Sequence, residues 1–147
     1  VWTGGVTGSS VLTESGFEIE RGKVMVEPDL RAPGYGNIFV LGDCAWVMDE
    51  DAGRPYPPTA QAALQHGETC ARNIRALLYG EPLEKFQFID RGTVASLGVN
   101  DGIATIFDDT KLKGKAAAAM KKVVDNRALF LLGGTKILLK KGKVRPF

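Results

Sequence analysis

The sequence predicts an α/β chain, and three observations carry that expectation. An apolar run from Ile38 to Leu41 stops at Gly42 and Asp43, a long amphipathic repeat begins behind Pro57, Pro58 and Thr59, and short β-prone runs follow it between glycines. Buried parallel strands read as near-continuous apolar runs, and ligands of α/β sheets sit beyond their carboxyl ends. A carboxylate at that edge can accept hydrogen bonds from ligand hydroxyls, and a preceding glycine lets the backbone come close.

Taken in order, Val1 to Gly5 reads as a strand entering a glycine turn, and Ser9 to Ser15 as a helical turn closed by Gly16. Phe17 to Ile19 and Lys23 to Val26 alternate about Arg21 and Gly22, the pattern of a hairpin. Residues 29–37, with Pro33, Gly34 and Gly36, predict a loop; Ile38 to Leu41 a buried strand; and Met48 to Pro58, rich in Asp, Gly and Pro, a second loop. Thr59 to Tyr79 predicts a helix whose apolar face carries Ala60, Ala63, Leu64, Gly67, Ala71, Ile74 and Leu78, stopped by Gly80 and Pro82. Phe86 to Phe88, Thr93 to Leu97 and Ile103 to Phe107 read as strands of a small antiparallel sheet. Beyond Gly114 the alanines, Met120, Val123 and Val124 form an amphipathic helix that continues to Gly133 and Gly134. A second apolar patch, Ile137 to Leu139, is flanked by lysines.

Composition is that of a globular chain, with 44% hydrophobic and 24% charged residues. The net charge of +2 hides a division: residues 1–110 hold 8 Lys and Arg against 16 Asp and Glu, and residues 111–147 hold 11 against 1. The tail is thus a separate basic region, suited to an acidic or anionic partner. It lacks the interleaved aromatics and groove-reading module of a nucleic-acid binder, and no apolar run reaches the roughly 18 residues of a membrane span. Apolar residues alternating with lysines instead match a helix lying on an anionic lipid surface. Cys44 and Cys70 have no metal spacing and read as free thiols in a reducing setting. The chain starts at Val1 inside an expected strand, without an initiator Met, and reads as a fragment. Two domains are expected, 1–84 and 85–147.

The strand ending in Gly42 and Asp43, set before the Pro57 to Gln61 helix entrance, reads as half of a flavin site. The motifs VWTGGV (1–6), APGYGNIFVLGD (32–43), YPPTAQAALQH (56–66), GTVASLG (92–98) and MKKVVDNR (120–127) resemble the type II NADH:quinone oxidoreductases over nearly the whole chain. The resemblance implies the carboxyl-terminal part of a Rossmann-type FAD/NAD(P)-binding flavoprotein fold, with a small antiparallel sheet and amphipathic carboxyl-terminal helices. It also implies FAD as cofactor, NADH as substrate, a membrane quinone as acceptor, and a peripheral place on the cytoplasmic face of the cell membrane. No metal is expected.

By the same resemblance, Gly42, Asp43, Thr59, Ala60 and Gln61 would bind FAD, with Asp43 on the ribityl chain and the helix amino end at the flavin N1 and O2 edge. Gln61, Gln65, Lys121 and Val124 would line the quinone path. Lys122, Arg127, Phe130, Leu138, Lys140 and Lys141 would meet the membrane. No residue is assigned to bond-making, since that chemistry belongs to the cofactor. His66, the one histidine, reads as structural or solvated, Cys44 as a packing residue, and Trp46 and Tyr56 as packing in the core or beside the flavin. Two alternatives remain open: another two-Rossmann oxidoreductase, such as a sulfide:quinone or disulfide reductase, or a non-catalytic module that binds membranes and self-associates, as a homodimer or larger.

Overall fold

In a computed structural model the described residues are 8–106 and 110–142. The expected first strand, Val1 to Gly5, and the end of the Ile103 to Phe107 strand lie outside them. The chain divides into two compact units, one ending at Ile89 and the other starting at Asp90.

In the first unit, α1 (Ser10–Glu14) forms behind Ser9, whose hydroxyl accepts the Val11 N–H, and buries Leu12. The hairpin follows as β1 (Ile19–Glu20) and β2 (Lys23–Met25), with Ile19 opposite Val24. Its two-residue turn places both Arg21 and Gly22 at positive φ, 50° and 77°, the geometry that matches strand twist. On its other side β2 pairs in parallel with β3 (Ala45–Trp46), Val24 facing Ala45.

The expected strand at Ile38 to Leu41 does not form a sheet strand. Its one ladder contact among the described residues is an antiparallel bridge from Phe39 to Arg31. The parallel pairing falls on Ala45 and Trp46 instead, after a 3-10 turn at Gly42–Cys44. An extended run becomes a sheet strand only where a neighbouring backbone pairs along it, and among the described residues only the short segment about Arg31 does so, with the Ala32 N–H donating to Ile38 O at 2.9 Å. The fully buried Leu30 closes the preceding turn at φ 72°, donating to Glu27 O at 2.9 Å and accepting the Val40 N–H at 3.0 Å.

The expected loop from Met48 to Pro58 contains a hairpin of β4 (Met48–Asp49) and β5 (Arg54–Pro55). Asp49 organises its tip, accepting the Asp51 and Ala52 N–H groups at 3.1 Å each. The expected helix is present as α2 (Ala60–Tyr79), capped by Thr59 and closed by Gly80 at φ 70°. Its packed face is not the expected one. Ala62, Gln65, His66, Thr69, Cys70, Asn73 and Ala76 are buried, whereas Leu64, Ile74 and Leu78 are exposed. Polar side chains dominate this inner face because they bind backbone of neighbouring segments. Gln65 pairs with Ile89 in both directions, at 3.0 and 2.9 Å. Asn73, fully buried, donates to Asp29 O and Glu84 O and accepts the Glu84 N–H.

Phe86 to Phe88 forms no strand, yet Phe86 donates to Pro28 O at 2.8 Å and is buried in the core with Leu12, Val24, Leu30, Val40 and Cys70. Tyr56 packs on both Phe86 and Phe88, each at 5.6 Å between ring centroids. Residues 85–89 thus stay with the first unit.

The second unit is an antiparallel sheet, β6 (Thr93–Ser96), β7 (Gly102–Ile106) and β8 (Thr110–Lys113), packed by α3 (Lys115–Lys141). β8 was not expected, since its lysines read as part of the basic tail. Gly102 admits close approach, because a Cβ there would meet Ala95 O at 2.9 Å and Ala118 N at 3.3 Å. Ala117 and Ala118 are accordingly the buried residues of α3. The helix is broken where the two glycines predict, with Gly134 at φ 61°. No helix among the described residues is long and apolar enough to cross a membrane.

Candidate functional site

The Gly42–Cys44 turn and the amino end of α2 meet in the first unit, where Gly42, Asp43, Pro58, Thr59, Ala63 and His66 line one small pocket. Gly42 sits at φ 65°, the left-handed region that a side chain rarely adopts. A Cβ there would touch Ala63 at only 3.7 Å, so the backbone conformation and not crowding calls for glycine. Asp43 is exposed, and no hydrogen bond or ion pair occupies its carboxylate among the described residues. Thr59 accepts the Ala62 N–H at 3.2 Å. An α-helix leaves its first amides without intrahelical partners and carries about half a positive charge at that end, and here Ala60, exposed, opens the helix.

His66 joins the two pieces. Its Nδ1 accepts the Gly42 N–H at 3.1 Å, so the imidazole is neutral with its proton on Nε2. Nε2 is buried with no hydrogen-bond partner among the described residues, and the ring stands edge to face with Phe86 at 4.4 Å. Burial pushes the imidazole below its ordinary value of 6.5. This link escaped the sequence reading, although Ala62, His66, Thr69 and Asn73 mark out one side of the helix.

The other candidates fall in different places. Gln61 is half-buried in the first turn of α2. Gln65, expected along the quinone path, has its amide engaged on both sides by Ile89. Lys121 and Val124 lie on α3 in the second unit, Val124 exposed and Lys121 ion-paired with Asp125 one turn on. Of the membrane candidates, Arg127, Phe130, Lys140 and Lys141 are exposed, and Lys122 and Leu138 are half-buried. Trp46 packs beneath the Arg21 guanidinium, 5.6 Å from its ring centre. Cys44 and Cys70 are both free thiols, and burial raises the Cys70 thiol above its ordinary value. A larger surface groove of about 490 Å³ lies against Asp29, Arg31, Tyr35 and Lys85. Its two cations are already ion-paired, Arg31 with Asp29 and Lys85 with Glu50, so it does not compete as the site.

Over 143 residues, 97% of its length, the chain is 48% identical to the type II NADH:quinone oxidoreductase of Staphylococcus aureus strain MSSA476, and equally to those of strains MW2 and NCTC 8325. The chain belongs to the type II NADH:quinone oxidoreductase family. It spans 35% of those relatives' length. No protein-family model matches it. Among solved structures it is similar to NDH2 from Plasmodium falciparum in complex with NADH, with a TM-score of 0.72 and 14% identity over 95% of this chain and 43% of that one. A second NDH2 structure, in complex with RYL-552, matches with a TM-score of 0.59 and 15% identity over 82% of this chain and 39% of that one. At such identities the likeness speaks for the fold, a partial FAD/NAD(P)-binding flavoprotein fold of Rossmann type. In this chain the Gly42–Asp43 turn and the PPTAQ entrance of α2 come together as one surface.

Proposed function

We propose that the chain supplies the flavin-closing and membrane-docking part of an enzyme that passes a hydride from NADH to FAD and two electrons onward to a membrane quinone. The observation that carries this reading is the exposed Asp43 carboxylate, without a hydrogen-bond or ion-pair partner among the described residues, beside the amino end of α2 in a chain 48% identical to type II NADH:quinone oxidoreductases.

The residues fit a flavin. Asp43 would accept hydrogen bonds from the ribityl hydroxyls, a role in which a charged acceptor outperforms a neutral one. Gly42 keeps that approach open. Thr59 fixes the start of α2, and the backbone at Ala60 and Gln61 would hold the flavin ring where the helix end favours negative charge. When bound, FAD supplies the hydride-accepting and electron-donating chemistry. The Gln61 side chain, in the first turn of α2, would face the quinone.

The basic tail docks at the membrane. Phe130, Leu131, Leu132 and Leu139 expose apolar surface on α3, and Lys122, Arg127, Lys140 and Lys141 accompany them. Apolar residues in the acyl boundary with lysines at anionic headgroups hold a peripheral protein on a bilayer, here on the cytoplasmic face.

The test is flavin retention by the full-length protein that carries this chain. FAD copurifies with the wild type, and Asp43→Ala weakens FAD binding by about tenfold to a hundredfold, the effect of losing a charged hydrogen bond. Asp43→Asn lies between. Equal FAD affinity in wild type and Asp43→Ala would remove the basis of the proposal. A second reading rests on the exposed face of α2, where Leu64, Ile74 and Leu78 are uncovered. On that reading the chain alone self-associates without catalysis, and its solution mass rises with concentration.

A further inference from the structure

We propose that His66 is a positioning residue of this site: by accepting the Gly42 N–H at Nδ1, the neutral imidazole ties the Gly42–Cys44 turn, and with it Asp43, to the first turns of α2, and a proton on that nitrogen releases the turn. The consequence for flavin rests on the function proposed above. The tie itself does not.

Three observations converge. The Gly42 N–H to His66 Nδ1 hydrogen bond spans 24 residues of sequence, so it fixes tertiary placement and not a local turn. Gly42 is at a positive φ, a conformation that its own chain does not enforce and that a fixed amide helps to hold. The ring is 96% buried by residue, braced by Phe86, and its Nε2 proton has no acceptor among the described residues. A residue selected only for packing would not leave a polar hydrogen unpaired among the described residues, since an unsatisfied buried donor is destabilising. The cost is offset if Nδ1 must accept.

Protonation reverses the geometry. The imidazolium carries a hydrogen on both nitrogens, so Nδ1–H would face the Gly42 N–H, donor against donor. The charged and titratable groups lining the same pocket are Lys23 from β2, Asp43 from the turn and Tyr56 from the segment after β5, with Cys70 one turn along α2. None of them is hydrogen-bonded to the ring. Burial pushes the Tyr56 phenol up and the His66 imidazole down, so both remain neutral near neutrality. As the pH falls the imidazole gains its proton and the turn loses its anchor.

The test uses the full-length protein with isotope-labelled histidine and glycine, followed by NMR between about pH 8 and pH 5, around the ordinary histidine range. Near neutrality the His66 ring should show a bare Nδ1 and a protonated Nε2. On acidification the Gly42 amide should shift and lose its protection from hydrogen exchange with the same midpoint as the ring. His66→Asn, whose side-chain oxygen occupies the place of Nδ1 and does not titrate, should keep the amide protected throughout, while His66→Leu should lose protection at every pH. FAD affinity, read in parallel, should fall about tenfold in His66→Leu and in acidified wild type, and stay level in His66→Asn. A Gly42 amide indifferent to the His66 titration, or an acid response in His66→Asn equal to that of the wild type, overturns the proposal. A protein in which Gly42 follows His66 but FAD never binds retains the tie and refutes the flavin reading instead.

Discussion

Replacing Asn73 by Ala tests whether the inner face of α2 works by binding backbone. Asn73 is fully buried and makes three hydrogen bonds, to Asp29 O at 3.0 Å, to Glu84 O at 2.9 Å and from Glu84 N at 2.9 Å. Each is worth about 1 kcal/mol net, and backbone groups left without partners add to the loss. Asn73→Ala should therefore destabilise the first unit by about 3 kcal/mol, through the segments carrying Asp29 and Glu84. In urea unfolding, with a slope of about 1–3 kcal/mol per molar, the midpoint should drop by about 1–3 M. Asn73→Asp keeps the acceptor for Glu84 N–H but turns a second oxygen toward two carbonyls. It should be at least as damaging near neutrality and recover partly in acid, where a protonated carboxyl can donate. A loss below about 1 kcal/mol for Asn73→Ala would refute the reasoning, because side-chain hydrogen bonds would then not be what holds this face.

Three further outcomes are expected. Thr59→Ala removes the hydroxyl that accepts the Ala62 N–H and should cost about 1 kcal/mol, measured by thermal unfolding, with Thr59→Ser close to wild type. Because burial lowers the His66 value in the folded state, the unfolded chain binds the proton first. Stability should fall as pH drops below 6.5, level off below the folded value, and lose this component in His66→Asn, as followed by urea titrations across pH. Binding to anionic vesicles should weaken with added salt, and removal of residues after Thr110 should abolish it in a flotation assay; unchanged binding by the truncated protein would assign membrane contact elsewhere.

The elements most legible in the sequence were those with local causes. Thr59 and Gly80 bounded α2 because capping and left-handed termination are decided within a few residues. Arg21 and Gly22 likewise set the hairpin turn. What escaped depended on distant partners. Ile38 to Leu41 has the composition of a buried strand, yet strand pairing also requires a neighbouring backbone, and the described residues offer only the Arg31 bridge. The packed face of α2 was misjudged because apolar periodicity points to leucine and isoleucine, whereas Gln65 and Asn73 are buried through hydrogen bonds to Ile89, Asp29 and Glu84. The same reason hid His66, whose acceptor role depends on Gly42 arriving from elsewhere in the chain. Within the candidate site, Gly42, Asp43 and Thr59 could be named from motif alone, and their meeting in one pocket required the fold.

The central claim is that this chain completes a flavin enzyme that reduces quinone with NADH. Its most direct test is an anaerobic titration of the full-length protein, in which flavin absorbance is followed while NADH and then a water-soluble quinone are added. Bleaching on NADH and full recovery on quinone are expected. Bound flavin that bleaches but does not recover would contradict quinone as the acceptor, and a protein without flavin would contradict the site built on Asp43 and α2.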